Sequence, residues 1–210
     1  MPRPYGMLWG LLEGLLGHTC PGCGNRLDAP LLCRGCRQGL RAFAAGEMVY
    51  LGLYGRVGGV VRALKYGRRF GLAPLLAEPL AEAVSAQGWR LSGVTAVPTL
   101  LPRLAVRGYN PPELLGRAVA ARLGVPYLRV LRRERYTPSQ PSRGRARRHL
   151  PQDLFAPVLR VEGSWLLVDD VLTSGATFLR AKEALLRAGA GRVYGAFLAV
   201  RDPGALGPYR

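Results

Sequence analysis

The stretch Trp-Leu-Leu-Val-Asp-Asp-Val-Leu-Thr-Ser-Gly-Ala-Thr, residues 165–177, decides the fold. Its first four residues are an unbroken apolar run, which predicts a strand buried on both faces of a parallel sheet. Asp169 and Asp170 follow at the carboxyl end of that strand. The small residues 173–177 predict a turn into a helix over residues 178–188. Peptide N–H groups at such a helix start favour a bound phosphate.

The order of the acids and the small residues favours a ribose 5-phosphate as the ligand. Two carboxylates repel a phosphate placed directly on them, but they can reach the hydroxyls of an attached sugar, or a bound Mg²⁺. The predicted site therefore runs through one segment: Val168, Asp169, Asp170, Thr173, Ser174, Gly175, Ala176 and Thr177. Two alternatives stay open, because paired acids also occur in phosphoacceptor and Mg²⁺-binding α/β domains, and hydroxyl-rich turns often only cap helices.

The 210 residues suggest one α/β domain with a small appendage. We expect the domain to span residues 47–210, preceded by an N-terminal unit of residues 1–46. Alternating strand and helix patterns predict a mostly parallel, doubly wound sheet. The further expected strands are residues 48–54, 94–97, 127–130 and 193–200; the further helices are 58–66, 72–86 and 113–123; and the loops are 100–112 and a long mobile one over 131–152.

The chain carries a net charge of +17, and all its basic residues except Lys65 and Lys182 are arginines. Such an excess favours a polyanionic partner, with nucleic acid first and an anionic membrane surface second. The alternative is an arginine-rich proteome in which the charges are spread evenly. The predicted nucleic-acid site combines a turn after one helix with the long loop: Lys65, Arg68, Arg69, Arg143, Arg145, Arg147 and Arg148.

The N-terminal residues 3–16 superficially resemble a short signal peptide. Glu13 interrupts their apolar stretch and no small-residue cleavage site follows. Their apolar residues recur at helical spacing, which predicts an amphipathic helix packed on the body. No apolar run reaches the length of a membrane span, so we expect a cytoplasmic protein.

All four cysteines lie in one window, as Cys20-Pro-Gly-Cys23 and Cys33-Arg-Gly-Cys36. Two such knuckles supply four thiolates, the ligand set of a closed structural Zn²⁺ site. Two disulfides or an iron–sulfur cluster are the rival interpretations, and disulfides are disfavoured without secretion.

Several motifs along the chain resemble those of the ComF competence family. They are the cysteine knuckles, Ala-Leu-Lys-Tyr-Gly-Arg at 63–68, a Val-Pro strand end at 97–98, Arg-Gly-Tyr-Asn at 107–110, and the 165–177 segment, which resembles the type I phosphoribosyltransferase motif. The resemblance covers essentially the whole chain. It departs from the family pattern at Pro111, where a Gln is usual, and at Arg143, where a Leu is usual.

The resemblance implies a type I phosphoribosyltransferase-like doubly wound sheet with a small N-terminal zinc-binding subdomain. It implies binding of Mg²⁺ and phosphoribosyl pyrophosphate (PRPP), or of a nucleotide phosphate, with Pro98 and Thr99 on the pyrophosphate and Asp169 and Asp170 as the catalytic pair. It also implies a role in natural transformation, in which the protein handles incoming single-stranded DNA beside a DNA-translocating helicase and a recombination mediator. The alternative is an active phosphoribosyltransferase with an unknown acceptor.

Overall fold

A computed structural model of the chain describes residues 19–134, 151 and 153–209. The predicted N-terminal amphipathic helix lies outside these residues. Within them the elements are, in chain order, α1 (Arg34–Gln38), β1 (Phe43–Ala45), β2 (Met48–Tyr50), α2 (Tyr54–Tyr66), α3 (Leu72–Ala86), β3 (Gly93–Ala96), α4 (Leu101–Arg107), α5 (Pro111–Leu123), β4 (Leu131–Arg133), β5 (Phe155–Pro157), β6 (Ser164–Leu172), α6 (Ala176–Arg187), β7 (Arg192–Val200) and a 3₁₀ helix (Pro203–Tyr209).

The main sheet of the described residues has the strand order β1-β2-β7-β6-β3. Strands β2, β7, β6 and β3 run parallel, and only the edge strand β1 is antiparallel to its neighbour. The chain therefore has the predicted α/β fold with a mostly parallel central sheet. Strands β4 and β5 form a separate antiparallel pair.

Both faces of the sheet are covered, and the side chains of β6 show how. Leu166 and Val168 lie in the hydrophobic cluster that packs α2, α3 and α5 on one face. Trp165 and Leu167 lie in the cluster that packs α6 on the other face. Because successive strand residues point to opposite faces, a continuous apolar run is what a strand between two helix layers requires.

Strand β6 is longer than predicted. It continues to Leu172, so Asp169 and Asp170 belong to the strand itself, and Asp169 pairs in register with Phe197 of β7. The neighbouring strand extends the hydrogen-bonded ladder past the apolar run, which a sequence pattern ending at Val168 does not reveal.

Five other expectations about elements were wrong in part. The predicted strand 48–54 ends at Tyr50, and Tyr54 begins α2, which starts before the predicted Gly58. The predicted loop 100–112 contains α4, whose residues are all at least partly exposed and therefore leave no apolar stripe to recognise.

In the predicted strand 127–130, Tyr127 makes one isolated bridge to Val94, and the strand β4 begins only at Leu131. The predicted long loop thus starts as a strand. Its central part, residues 135–150, lies outside the described residues.

No helix in residues 19–134 or 153–209 combines the length and the apolar character needed to cross a bilayer.

Candidate functional site

A cleft of about 610 Å³ opens at the carboxyl ends of β3 and β6. Ligands of open parallel sheets bind in this place, because strand ends and helix starts converge there. The cleft is lined by polar and charged residues of both strand ends, of α2, α4 and β4, and of the loop before α6: Lys65, Pro98, Thr99, Arg103, Arg107, Asn110, Arg133, Asp169, Asp170, Thr173, Gly175 and Thr177.

The loop between β6 and α6 is shaped by Gly175. This residue precedes α6 with φ of 78°, in the left-handed region, where a side chain is strained. Its carbonyl accepts the N–H of Leu179 and so closes the first turn of the helix. Thr173 and Thr177 line the cleft on either side of it. The loop therefore presents hydroxyls and a helix N-terminus to whatever occupies the cleft.

The two acids of β6 differ in their surroundings. The ammonium of Lys65, from the last turn of α2, lies 2.8 Å from Oδ1 of Asp170, and both side chains are mostly buried. Oδ1 of Asp169 accepts the backbone N–H of Asp170 at 2.8 Å. Burial, followed by the charge of Asp170, raises the pKa of Asp169 to about 8. The cleft thus holds one ion-paired acid, Asp170, and one acid, Asp169, whose surroundings favour its protonated form.

Three arginines add positive charge to the same cleft. Arg103 and Arg107 come from α4, and Arg133 comes from β4. Burial, and then the nearby charge of Arg103, lower the pKa of Arg133. The guanidinium of Arg107 lies 4.5 Å from the centre of the Tyr66 ring. With Lys65, the cleft has four cations against two acids, and it is therefore suited to an anion.

Two buried polar atoms at the cleft have no hydrogen-bond partner within the described residues. They are Nε of Arg133 and Oδ1 of Asn110. The amide nitrogen of Asn110 donates to the carbonyl of Val97, which fixes the side chain at the end of β3. A buried donor or acceptor without a partner costs about 1–3 kcal/mol, so a ligand that satisfies these atoms would recover that energy.

Not every residue of the predicted phosphate and sugar site lies in the cleft. Val168 is fully buried in the core below it. Ser174 is exposed, and Ala176 is half-buried as the first residue of α6; neither lines the cleft. Pro98 and Thr99 line it at the end of β3.

The predicted nucleic-acid residues fall into three different places. Lys65 faces the cleft and pairs with Asp170. Arg68 is exposed, with φ of 50°, and Arg69 is half-buried and donates to the carbonyl of Thr19 at 3.2 Å. The other four lie outside the described residues: Arg143, Arg145, Arg147 and Arg148.

The four cysteines converge at one point. Their sulfur atoms all lie within 4.8 Å of one another, and Sγ of Cys23 is 3.7 Å from Sγ of Cys33. Four sulfurs at about 2.3 Å from a tetrahedral Zn²⁺ lie about 3.8 Å apart. The cluster can therefore hold a metal ion and is compatible with structural zinc.

Backbone N–H groups point at two of these sulfurs. Sγ of Cys20 receives the N–H groups of Gly22 and Cys33, at 3.4 and 3.5 Å, and Sγ of Cys33 receives that of Cys36. Burial disfavours the Cys20 thiolate, but the backbone donors outweigh it and lower the pKa of that thiol to about 6. Burial raises the pKa of Cys36, a penalty that a central dication offsets.

Sequence reasoning missed the cleft roles of Arg103, Arg107, Asn110 and Arg133. The first three lie in the predicted loop 100–112, and the Arg-Gly-Tyr-Asn string at 107–110 is a signal for Arg107 and Asn110 but not for Arg103. Arg133 carried no signal, because its contact with the cleft depends on the pairing of β4 with β5.

Comparisons with known proteins assign no family. No family model matches the chain, and no curated protein matches it. Among solved structures, the chain is similar to the adenine phosphoribosyltransferase from Thermoanaerobacter pseudethanolicus ATCC 33223. The sequence identity is 19%, the match covers 67% of this chain and 84% of that chain, and the TM-score is 0.37.

Proposed function

We propose that the protein binds a phosphoribosyl ligand, with PRPP as the first candidate, in the cleft at the end of β6. The observation that carries this proposal is the combination of groups in one cleft: a glycine and hydroxyl loop before a helix, two carboxyl groups, and four cations. The loop over residues 173–177 would take the 5-phosphate. Asp169 and Asp170 would take the ribose hydroxyls.

The arginines of the cleft suit a second anionic group on the same ligand. A guanidinium presents N–H donors in a planar fork that matches phosphate oxygens. Arg133 has a buried Nε without a partner among the described residues, and Arg103 adds a like charge near it. A pyrophosphate would accept a hydrogen bond from Nε of Arg133 and neutralise the charge of Arg103. Pro98 and Thr99 would border that group at the end of β3.

The cleft does not build a Mg²⁺ site from protein groups alone. The cysteines are the only set of three or more His, Cys, Asp or Glu ligands gathered at one point in the described ranges. Of the two cleft acids, Asp170 is paired with Lys65, and the raised pKa of Asp169 favours its protonated form, which is a poor metal ligand. Mg²⁺ would therefore enter with the ligand, held mainly by phosphate oxygens.

The test is calorimetry of the wild type with PRPP, ribose 5-phosphate, pyrophosphate and mononucleotides, each with and without Mg²⁺. PRPP should bind most tightly, because it alone offers both anionic groups and the ribose. Asp170→Asn should weaken it at least tenfold, that is by about 1.4 kcal/mol. The matched control is Glu162→Gln, which changes an exposed carboxylate to an amide just before the opposite end of β6. Equal binding by both variants would refute this site.

Catalysis is the alternative role of the same cleft. A phosphoribosyl transfer releases pyrophosphate while the ribose C1′ passes through an oxocarbenium-like state, and exclusion of water protects that state. Asp169 and Asp170 would then act on the ribose as the catalytic pair. A screen of nucleobases and other acceptors for steady pyrophosphate release decides between transfer and binding.

Handling of single-stranded DNA is the second candidate, and the net charge of +17 favours it. We propose that exposed Arg68 and the arginine-rich segment 143–148 follow the phosphates of the strand without reading bases. With the ComF-like motifs, this supports a cytoplasmic role in DNA uptake, beside a translocating helicase and a recombination mediator. Loss of transformation in a deletion strain, restored by the wild-type chain, tests that role.

A further inference from the structure

Lys65 connects the cleft to the rest of the molecule through helix α2. It lies one residue from the end of that helix, and its ammonium pairs with Asp170 in the cleft. The end of the helix is fixed from two sides. The hydroxyl of Tyr109 donates to the carbonyl of Leu64 at 2.7 Å. Gly67 closes the helix so tightly that an added Cβ would meet the carbonyl oxygen of Ala63 at 2.8 Å.

The cysteine knuckle packs directly on the same helix. An added Cβ at Gly59 would overlap the carbonyl oxygen of Pro21, which lies between two of the cysteines. Just beyond the helix, Arg69 donates to the carbonyl of Thr19. Buried Cys20 and Leu32 belong to the same hydrophobic cluster as Val60, Val61 and Leu64 of α2. The knuckle is therefore a support for α2 and not a free appendage.

We propose that the cysteine knuckle positions Lys65 against Asp170, and thereby sets the affinity of the cleft for its anionic ligand. The role is one of positioning, because neither Gly59 nor the cysteines line the cleft. It rests on the proposed phosphoribosyl site. It also gives the metal a function in the α/β body beyond folding of the knuckle.

The helix supplies the mechanical connection. Gly59 and Lys65 are six residues apart on α2, about 9 Å along a rigid axis. A knuckle that loses its metal loses much of its folding free energy, and the contact of Pro21 with Gly59 then no longer holds the helix. A small shift of α2 separates Lys65 from Asp170, whose 2.8 Å contact tolerates little displacement.

The first test compares two glycines of α2. Gly59→Ala forces Pro21 away, whereas Gly55→Ala adds its methyl group where no atom lies within 4 Å. Both changes bring the same gain in helix propensity. We expect PRPP affinity to fall about tenfold in Gly59→Ala and to stay within about twofold in Gly55→Ala. Equal affinities in the two variants would overturn the proposal.

The second test asks whether the effect passes through Lys65. Lys65→Met should weaken PRPP binding at least about tenfold, and Lys65→Arg should restore most of it, since it keeps the charge. The double variant Gly59→Ala/Lys65→Met should bind no more weakly than Lys65→Met alone. Independent losses that multiply would show that the knuckle acts elsewhere.

A third readout needs no ligand. Lys65 and Arg133 lower the pKa of Asp169, while burial and Asp170 raise it. The Asp169 carboxyl, followed by carbon-13 NMR, should therefore titrate at higher pH in Lys65→Met, in Gly59→Ala and in protein stripped of zinc by a chelator, but not in Gly55→Ala. An unchanged titration in stripped protein would refute the coupling. If the wild type gives no heat with PRPP, the proposed function fails, and this titration still decides the coupling.

A milder change covers the case in which Gly59→Ala does not fold. Arg69→Gln removes the hydrogen bond to Thr19 together with one positive charge, and Arg56→Gln removes one exposed positive charge from the first turn of α2 without that hydrogen bond. The Asp169 titration should rise in the former and not in the latter. The same titration in both would count against the proposal.

Discussion

Replacement of Gly175 by Ala gives the sharpest test of whether the loop over residues 173–177 binds a phosphate. Gly175 has φ of 78°, and a non-glycine residue in this left-handed region costs about 1–2 kcal/mol. For a domain of this size, 1 kcal/mol lowers the melting temperature by about 2–4 °C. We therefore expect a drop of about 2–8 °C. We also expect loss of PRPP binding, because the strain is relieved by moving the loop that we propose to hold the phosphate.

Gly124 provides the control. It ends α5 with φ of 68°, and no atom lies within 4 Å of an added Cβ. Gly124→Ala should therefore lose a similar stability and keep its affinity for PRPP. The assay is thermal unfolding followed by calorimetry on both variants, at a temperature where both are folded. If Gly175→Ala binds PRPP as tightly as Gly124→Ala does, the loop does not hold the phosphate.

Three further predictions concern the metal at the cysteines, the protonation of Asp169 and the binding of single-stranded DNA. Metal analysis should find one zinc per chain on the four cysteines, with Zn–S distances of about 2.3 Å by X-ray absorption; bound iron would contradict this. Burial and the charge of Asp170 raise the pKa of folded Asp169 to about 8, from an ordinary value of 3.8. Between these two pH values the folded state therefore binds more protons than the unfolded state, and the free energy of unfolding falls as pH rises. Urea unfolding at several pH values should show that fall in the wild type and a weaker one in Asp169→Asn. A plot of the logarithm of the binding constant for single-stranded DNA against the logarithm of the salt concentration should have a slope near −3.5, for about five neutralised phosphates. The slope should flatten when four arginines are changed together to Gln: Arg143, Arg145, Arg147 and Arg148. An unchanged slope would exclude that segment as the DNA site.

The sequence predicted well those features that depend on local pattern. The apolar run of β6 must be buried on both faces, and the structure divides its residues between two hydrophobic clusters. Each Cys-x-x-Cys pair is short enough to bring its two sulfur atoms close together, and in the structure the four sulfur atoms of both pairs converge. The small residues 173–177 predicted a turn into a helix, and α6 begins within them, at Ala176.

Features that depend on distant contacts could not be predicted in the same way. Lys65 belongs to a basic string, Lys-Tyr-Gly-Arg-Arg, and so looked like part of a nucleic-acid surface. Its partner Asp170 is more than a hundred residues away, and the contact arises only because the end of α2 lies over the end of β6. Arg133 likewise enters the cleft only through the pairing of β4 with β5.

Charged side chains in the cleft are paired less completely than those of several ion pairs elsewhere in the described residues. Outside the cleft, Glu113 pairs with both Arg117 and Arg129, and Glu47 pairs with Lys182 and Arg192. In these ion pairs the protein's own side chains satisfy one another, so no ligand is needed. In the cleft, Lys65 pairs with Asp170, but Arg133 is not satisfied in the same way: burial and the charge of Arg103 both work against its charged form, and its Nε has no partner among the described atoms.

Unfavourable interactions that persist at one place in a folded protein indicate a site that is completed by something else. A polyanion in this cleft would neutralise the arginines and satisfy the buried donor, so its binding free energy would add to the stability of the fold. A ligand at a hundred times its dissociation constant stabilises the folded state by about 2.7 kcal/mol. Occupation of the cleft should therefore add to the stability of the fold.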